Sequence, residues 1–370
     1  MKVYLFACIE KNIGDDLFIR TLCARYPQID FLISAEAKYG SLEKIPNLKF
    51  SKTLAKWIWA TSLNPQNQLK KLAARILCRF YEACLPNGDI GISIVGNAFK
   101  NLSYTGWKQS YWIRSRIDLV KRFYLISTNF GPYNDVRWKE DFEPIYPRMA
   151  DVCFRDKASY ELFQNLPNTR YAPDAEISLD MQPENTVENK RVIISLIDCA
   201  LRQRSEKLNN AASSYESKIA AVAKRFLSEG YTVTFLNSQA EQDRPACNRI
   251  MEQLDSSKVE VVDYDGNLEA VFDLYQNSSC VVATRLHTIV LAWLHNLPVV
   301  PIVYDIKVEN LLATCGFSGK QYDIYNLDEV TAEDIFSALK QYDFTLSEAV
   351  LKASQLQFRE IDKALSLNGV

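Results

Sequence analysis

Residues 219–236 read Ile219-Ala220-Ala221-Val222-Ala223-Lys224-Arg225-Phe226-Leu227-Ser228-Glu229-Gly230-Tyr231-Thr232-Val233-Thr234-Phe235-Leu236. Ile219, Val222, Ala223, Phe226 and Leu227 fall at the spacing of a helix with one buried face, and Gly230 stops it. The β-branched and aromatic run that follows at once predicts a strand. A helix handed to a strand by a single glycine is the repeating unit of an α/β sheet.

The same alternation runs outward in both directions. Strand-length apolar runs stand at about 191–197, 231–236, 259–263, 279–283, 298–303 and 322–325, and an earlier series at about 2–8, 29–34, 90–95, 122–127, 151–155 and 169–172. Helical spacing separates them, as in Ile19, Leu22, Cys23 and Tyr26. Alternating strands and helices imply parallel, doubly wound sheets, and two series imply two such Rossmann-like domains. Polar, aperiodic residues from Asp180 to Lys190, with Pro183 among them, read as the linker. The expected division is a domain over 1–180, a linker over 181–190, a domain over 191–345 and a closing helix over 346–370. Capping boxes are expected at Thr331 with Asp334 and at Thr345 with Glu348.

Composition excludes several classes. The 370 residues carry 43 Lys plus Arg against 45 Asp plus Glu, a net charge of −2 that argues against a general nucleic-acid binder. Nine scattered cysteines without a Cys-x-x-Cys pair read as reduced core residues, and with only two histidines, His287 and His295, no zinc cluster is implied. The apolar start, Val3-Tyr4-Leu5-Phe6-Ala7-Cys8, is short for a secretion signal and reads as a first strand. Leu286 to Tyr304 holds nineteen residues without an acid, Lys or Arg, yet its prolines and histidines favour a helix followed by a buried strand over a membrane span. The expected compartment is the cytoplasm.

One segment departs from this neutrality. Over 51–85 stand six basic residues (Lys52, Lys56, Lys70, Lys71, Arg75, Arg79), one acid, Glu82, and two tryptophans, Trp57 and Trp59, a local charge of +5. Basic residues interleaved with tryptophan suit peripheral contact with an anionic membrane, here its inner face. The alternative is a solvated helix whose tryptophans pack inward.

The sharpest constellation is Val281-Val282-Ala283-Thr284-Arg285-Leu286-His287-Thr288. A buried strand runs straight into Arg285, Leu286 and His287 at a helix start, where free amides already favour an anion. Guanidinium grips phosphate or carboxylate with paired bonds and imidazole titrates near neutrality, so the pair suits an acidic substrate that needs a proton. A further strand, Val299 to Val303, delivers Tyr304, Asp305 and Lys307. Lys307 would reach the same anion or stand solvated at a helix start. In the first half, Asn12, Gly14 and Asp15 follow the first strand. Asn12 and Asp15 suit bonds to sugar hydroxyls with Gly14 allowing close approach, while Asp15 or Asp16 as a plain helix cap is the competing reading. Arg155, after the strand ending in Phe154, repeats the logic of Arg285 from the opposite domain, against a local pair with Asp156.

Two doubly wound domains facing a cleft form the architecture of B-type glycosyltransferases and several relatives. Asn12-Ile13-Gly14-Asp15, Ser127-Thr128-Asn129-Phe130-Gly131-Pro132, Phe154-Arg155-Asp156 with Ser159, Ala172-Pro173-Asp174, Thr284-Arg285-Leu286-His287 and Pro298 through Lys307, in this order, resemble the polysaccharide pyruvyl transferase family. Arg-Leu-His followed by the proline-led strand and Tyr-x-x-Lys is the specific part. The family usually has a glycine-rich turn after the third strand, whereas this chain has Val95-Gly96-Asn97-Ala98-Phe99, with one glycine.

The resemblance implies transfer of a pyruvyl group from phosphoenolpyruvate onto two hydroxyls of a sugar, giving a cyclic ketal and phosphate, without metal or organic cofactor. His287 would be the general acid and Asp15 would orient or deprotonate the acceptor hydroxyl. Arg285, Leu286 and Lys307 on the C-terminal side, with Arg155 from the opposite domain, would hold the donor. Asn12, Gly14, Asn97 and Asn129 would hold the acceptor sugar on the N-terminal side, a lipid-linked glycan if the membrane reading of 51–85 is right. The competing enzyme is a B-type glycosyltransferase using a nucleotide sugar, although no carboxylate stands ready for a ribose near Thr284 to Ile289. A two-lobed binding protein would need a cleft and no chemistry.

Overall fold

The computed structural model describes residues 1–34, 40–62, 68–85, 88–96, 98–101, 110–181, 190–201, 205–254 and 257–366. Most of the expected linker, 182–189, lies outside them. The chain divides into two compact units. The first comprises Met1–Glu10, Asp15–Ser178 and Lys352–Val370, and the second Lys11–Gly14 and Leu179–Leu351.

The first unit holds β1 (Val3–Phe6), β2 (Phe31–Ile33), β3 (Leu48–Phe50), β4 (Gly88–Ile94), β5 (Phe99–Asn101), β6 (Val120–Thr128), β7 (Phe130–Tyr133), β8 (Asp151–Phe154) and β9 (Thr169–Tyr171). Seven of them form one parallel sheet in the order β3-β2-β1-β4-β6-β8-β9, and β5 and β7 pair separately. The order reverses between β1 and β4, which is the switch point where open α/β sheets offer a crevice at their carboxyl ends. Strands β3, β5 and β7, of three or four residues each, fall outside the expected apolar runs.

The second unit holds β10 (Arg191–Ser195), β11 (Thr232–Asn237), β12 (Val259–Asp263), β13 (Cys280–Ala283), β14 (Val299–Val303) and β15 (Tyr322–Asp323), all parallel, in the order β12-β11-β10-β13-β14-β15. Its switch point lies between β10 and β13. Every residue of β13 and β14 is buried, as expected of central parallel strands covered on both faces, and their sequences are accordingly unbroken apolar runs. The helix Ala212–Ser228 ends where Gly230 adopts φ +80°, and β11 follows. The chain is thus an α/β protein with two parallel sheets.

The acid-free stretch 286–304 is a helix, Leu286–Leu294, followed by β14. Among the described residues no helix is long and apolar enough to cross a membrane. Six cysteines are buried, but Cys8 and Cys78 are half-buried and Cys84 is exposed, so the core reading covers two thirds of them.

Two apolar layers flank the first sheet. One is aromatic: Phe130 and Tyr146 each meet Phe163 edge-on with ring centroids 4.8 Å apart. Into the other the C-terminal segment inserts Phe358, Ile361, Ala364 and Leu365. Arg25 pairs with Asp362 at 2.8 Å, and the fully buried Gln357 accepts from the Ser127 amide at 2.9 Å and donates to the Ala172 carbonyl at 2.7 Å. The last residues therefore complete the first unit. Thr331 and Asp334 form the expected capping box. The helix Glu348–Ser354 is instead opened by Ser347, whose hydroxyl accepts from the Val350 amide at 3.3 Å; Thr345 lies two residues too early.

Candidate functional site

In the second unit the switch point brings together the loops after β10 and β13. Arg285 is the extended residue that opens the helix Leu286–Leu294, with φ −83° and ψ 134°. Its backbone is pinned by Ser195: the Ser195 hydroxyl accepts from the Thr284 and Arg285 amides at 3.2 and 3.3 Å and bonds Thr288 Oγ1 at 2.7 Å. The Arg285 guanidinium, only 14% exposed, donates Nη2–H to the Asp243 carboxylate and Nε–H to the Leu196 carbonyl at 3.4 Å. Burial alone would lower its pKa, but Asp243 and Tyr304 outweigh this and hold it protonated, with the pKa above its ordinary value.

His287 follows in the first turn, half-buried, while Leu286 between them packs inward at 4% exposure. Gly14 belongs to this second unit and stands against the imidazole: a Cβ on it would lie 2.0 Å from Cδ2 and 2.3 Å from Nε2. Asn12 fixes that turn, its Oδ1 accepting from the Gly14 amide at 3.0 Å, and the Ile13 amide donates to the Ser238 carbonyl at 3.2 Å. Asn12, rather than Asp15 or Asp16, caps this helix start. Lys307 lies in the first turn of the helix Ile306–Cys315, capped by Asp305, with Nζ 5.3 Å from the Tyr304 ring centre. The other histidine is spoken for in the core, where His295 Nδ1 meets the Leu291 carbonyl at 2.7 Å and burial pushes its pKa down.

The first unit gathers a separate polar cluster at the ends of β6 and β8. Arg155 is buried, with Nη1 donating to Asp174 at 2.8 Å and Nη2 to Asn129 Oδ1 at 3.1 Å. Asp174 also accepts from the Ser127 hydroxyl, which in turn accepts from the Ala175 amide at 2.8 Å. Gly96 allows this packing, since a Cβ there would stand 2.7 Å from Arg155 Nη1. The local pair with Asp156 does not form. Asp156 caps the helix Lys157–Phe163 through Ser159, and the Ser159 hydroxyl accepts from the Phe130 amide at 2.7 Å. Glu176 is fully buried beside this cluster. Burial pushes its pKa up to about 8, opposed by the Arg155 charge.

Asp15 is half-buried in the first turn of the helix Ile13–Arg25. It stands close enough to Cys8 that, after burial itself, its charge is the next cause of that thiol's raised pKa. Asn97 lies outside the described residues. The structure thus joins His287 to Gly14 and Arg285 to Asp243 in one unit, and Arg155 to Asn129 in the other. Asp243, Asp174 and Gln357 are not legible as partners in the sequence: each sits far along the chain from the residue it serves, and the one signal for the two acids is that a buried arginine demands a counter-charge.

The family model for polysaccharide pyruvyl transferases matches residues 12–306. Among solved structures, UDP-GlcNAc 2-epimerase from Methanocaldococcus jannaschii, in complex with UDP-GlcNAc and UDP, is similar with a TM-score of 0.58. The identity is 10%, over 98% of this chain and 100% of that one. The Neisseria meningitidis UDP-GlcNAc 2-epimerase bound to UDP-GlcNAc gives 0.54 at 11% identity, over 98% and 100%. TarM gives 0.53 at 9%, over 100% and 99%. At such identities these likenesses establish the fold alone, the GT-B-like pairing of two parallel sheets.

Proposed function

Because the chain belongs to the polysaccharide pyruvyl transferase family, we propose that it moves the pyruvyl group of phosphoenolpyruvate onto two hydroxyls of a sugar in a polysaccharide or its precursor. The observation that carries this reading is Arg285 at the switch point of the second sheet, a largely buried, protonated guanidinium one residue from the helix turn that bears His287. A small dianion meets there a cation, helix amides and an imidazole within one turn.

In this reading Arg285 and Lys307 hold the carboxylate and phosphate, and Leu286 anchors the turn between Arg285 and His287. His287 delivers a proton to the methylene carbon, leaving an oxocarbenium-like centre at the carbon that bears the phosphate ester. A sugar hydroxyl adds to that centre and its proton returns to the imidazole of His287. The second hydroxyl then adds as the carbon–oxygen bond to phosphate breaks, its proton leaving with the phosphate. Two carbon–oxygen bonds and one carbon–hydrogen bond thus form while the alkene π bond, two O–H bonds and one carbon–oxygen bond break. A positioned acid of near-neutral pKa contributes roughly 100- to 10,000-fold to such a step. Asn12 and Gly14 fix the turn against His287. Asp15, Asn97 and Asn129 are the acceptor contacts in this proposal, with Asp15 orienting the hydroxyl. Arg155, bonded to Asn129, acts on the donor or, through that amide, on the acceptor.

Incubation with phosphoenolpyruvate and a panel of nucleotide-linked, lipid-linked and free glycans tests the proposal. Phosphate release that depends on one glycan is expected, and release with none of them overturns it. The nucleotide-sugar reading has the shared fold behind it and no more. A melting temperature raised by a nucleoside diphosphate and not by phosphoenolpyruvate would favour it.

A further inference from the structure

We propose that the helix pair Lys52–Ser62 and Gln68–Cys84 is a surface that docks onto an anionic lipid bilayer. The inference goes beyond the reaction proposed above and does not depend on it. The two helices pack on one another within the first unit. The first is anchored by Leu54 and Trp57, both buried, whereas Trp59 is 55% exposed. Only one of the two tryptophans therefore packs inward, and Lys52, Lys56 and Trp59 share the outer face at i, i+4 and i+7.

The second helix carries its apolar row outward. Leu72, Ile76 and Phe80 follow one another at i, i+4 and i+8 and are 55%, 60% and 60% exposed, while Tyr81 on the opposite side packs toward the core. A helix whose apolar stripe faces solvent over much of its 17 residues has been given a second apolar environment to meet. The charge around that stripe selects which one. Arg79 is exposed on the same helix, Lys52 and Lys56 are exposed on the helix packed against it, and Glu82 is the one acid in 51–85. A helix pair that exposes an apolar row together with cations and a tryptophan matches the headgroup and acyl boundary of an anionic bilayer: the chains take Leu72, Ile76 and Phe80, and the phosphates meet the cations.

The test is flotation of the full chain with vesicles of phosphatidylcholine containing about a third phosphatidylglycerol, and with phosphatidylcholine alone. Wild type is expected to float with the anionic vesicles at low salt and to remain below with the neutral ones. Replacing Lys52, Lys56 and Arg79 together with Gln should weaken partition by about 100-fold, roughly fivefold for each cation removed. Leu72→Glu with Phe80→Glu should abolish flotation without moving the melting temperature, because both side chains are already in water. Wild type that stays below with anionic vesicles overturns the proposal, as do variants that float as well as wild type. So does sedimentation of wild type as a dimer that Phe80→Glu dissociates, since the face would then belong to a second copy.

Discussion

Gly14 stands so close to His287 that a methyl group on its Cα would lie 2.0 Å from the imidazole Cδ2 and 2.5 Å from Cγ. The glycine is there because no other residue leaves room for the ring. Its φ is not in the left-handed region, so the constraint is one of space rather than of backbone conformation.

Gly14→Ala is therefore expected to displace the imidazole while the helix Ile13–Arg25, for which alanine is the better residue, remains folded. If His287 is the proton donor, Gly14→Ala and His287→Gln should both lower kcat far more than they raise the Kd for phosphoenolpyruvate. Single-turnover phosphate release beside equilibrium binding separates the two quantities. Affinity and turnover falling together would make His287 a binding residue.

Arg285→Ala removes a donor contact and leaves Asp243 as a fully buried carboxylate without its guanidinium. The first effect should cost about 1.5–3 kcal/mol of donor binding and the second about 3–5 kcal/mol of stability. Adding Asp243→Asn should restore the melting temperature and leave donor binding lost. Recovery of both would make Arg285 structural.

Arg155 is bound to Asp174 at 2.8 Å inside the first unit, so Arg155→Ala should lower stability by about 3–5 kcal/mol, and a milder loss should follow Gly96→Ala, which presses on Nη1. Urea unfolding measures both. An Arg155→Ala chain as stable as wild type would mean that water replaces the guanidinium beside Asp174.

Glu176 gives a pH signature. With its pKa raised by burial from 4.5 to about 8, the folded chain keeps a proton that the unfolded chain has already released between those values. Stability then falls as pH rises from about 4.5 to about 8 and levels off above. Glu176→Gln cannot ionise, so its melting temperature relative to wild type should climb across the same window. A constant difference between the two proteins from pH 4.5 to 8 contradicts the raised pKa.

The repeating pattern of the chain was enough for the two parallel sheets. Runs such as Val299 to Val303 are apolar throughout because both faces of a central parallel strand are covered, and residues like Gly230 mark where a helix must stop. Arg285 and His287 could likewise be found by reading, since a strand that ends in Arg-Leu-His leaves polar groups at a helix start by periodicity alone. What the sequence could not yield is who faces whom. Asp243 comes to Arg285, Asp174 to Arg155 and Gln357 to Ser127 only when separate strands are ordered in a sheet, because each pair is distant in sequence and its bond exists only after the sheet has assembled. The outward turn of Leu72, Ile76 and Phe80 was hidden for the same reason. Periodicity shows that a helix has an apolar face, and only packing decides whether that face meets the core or the solvent.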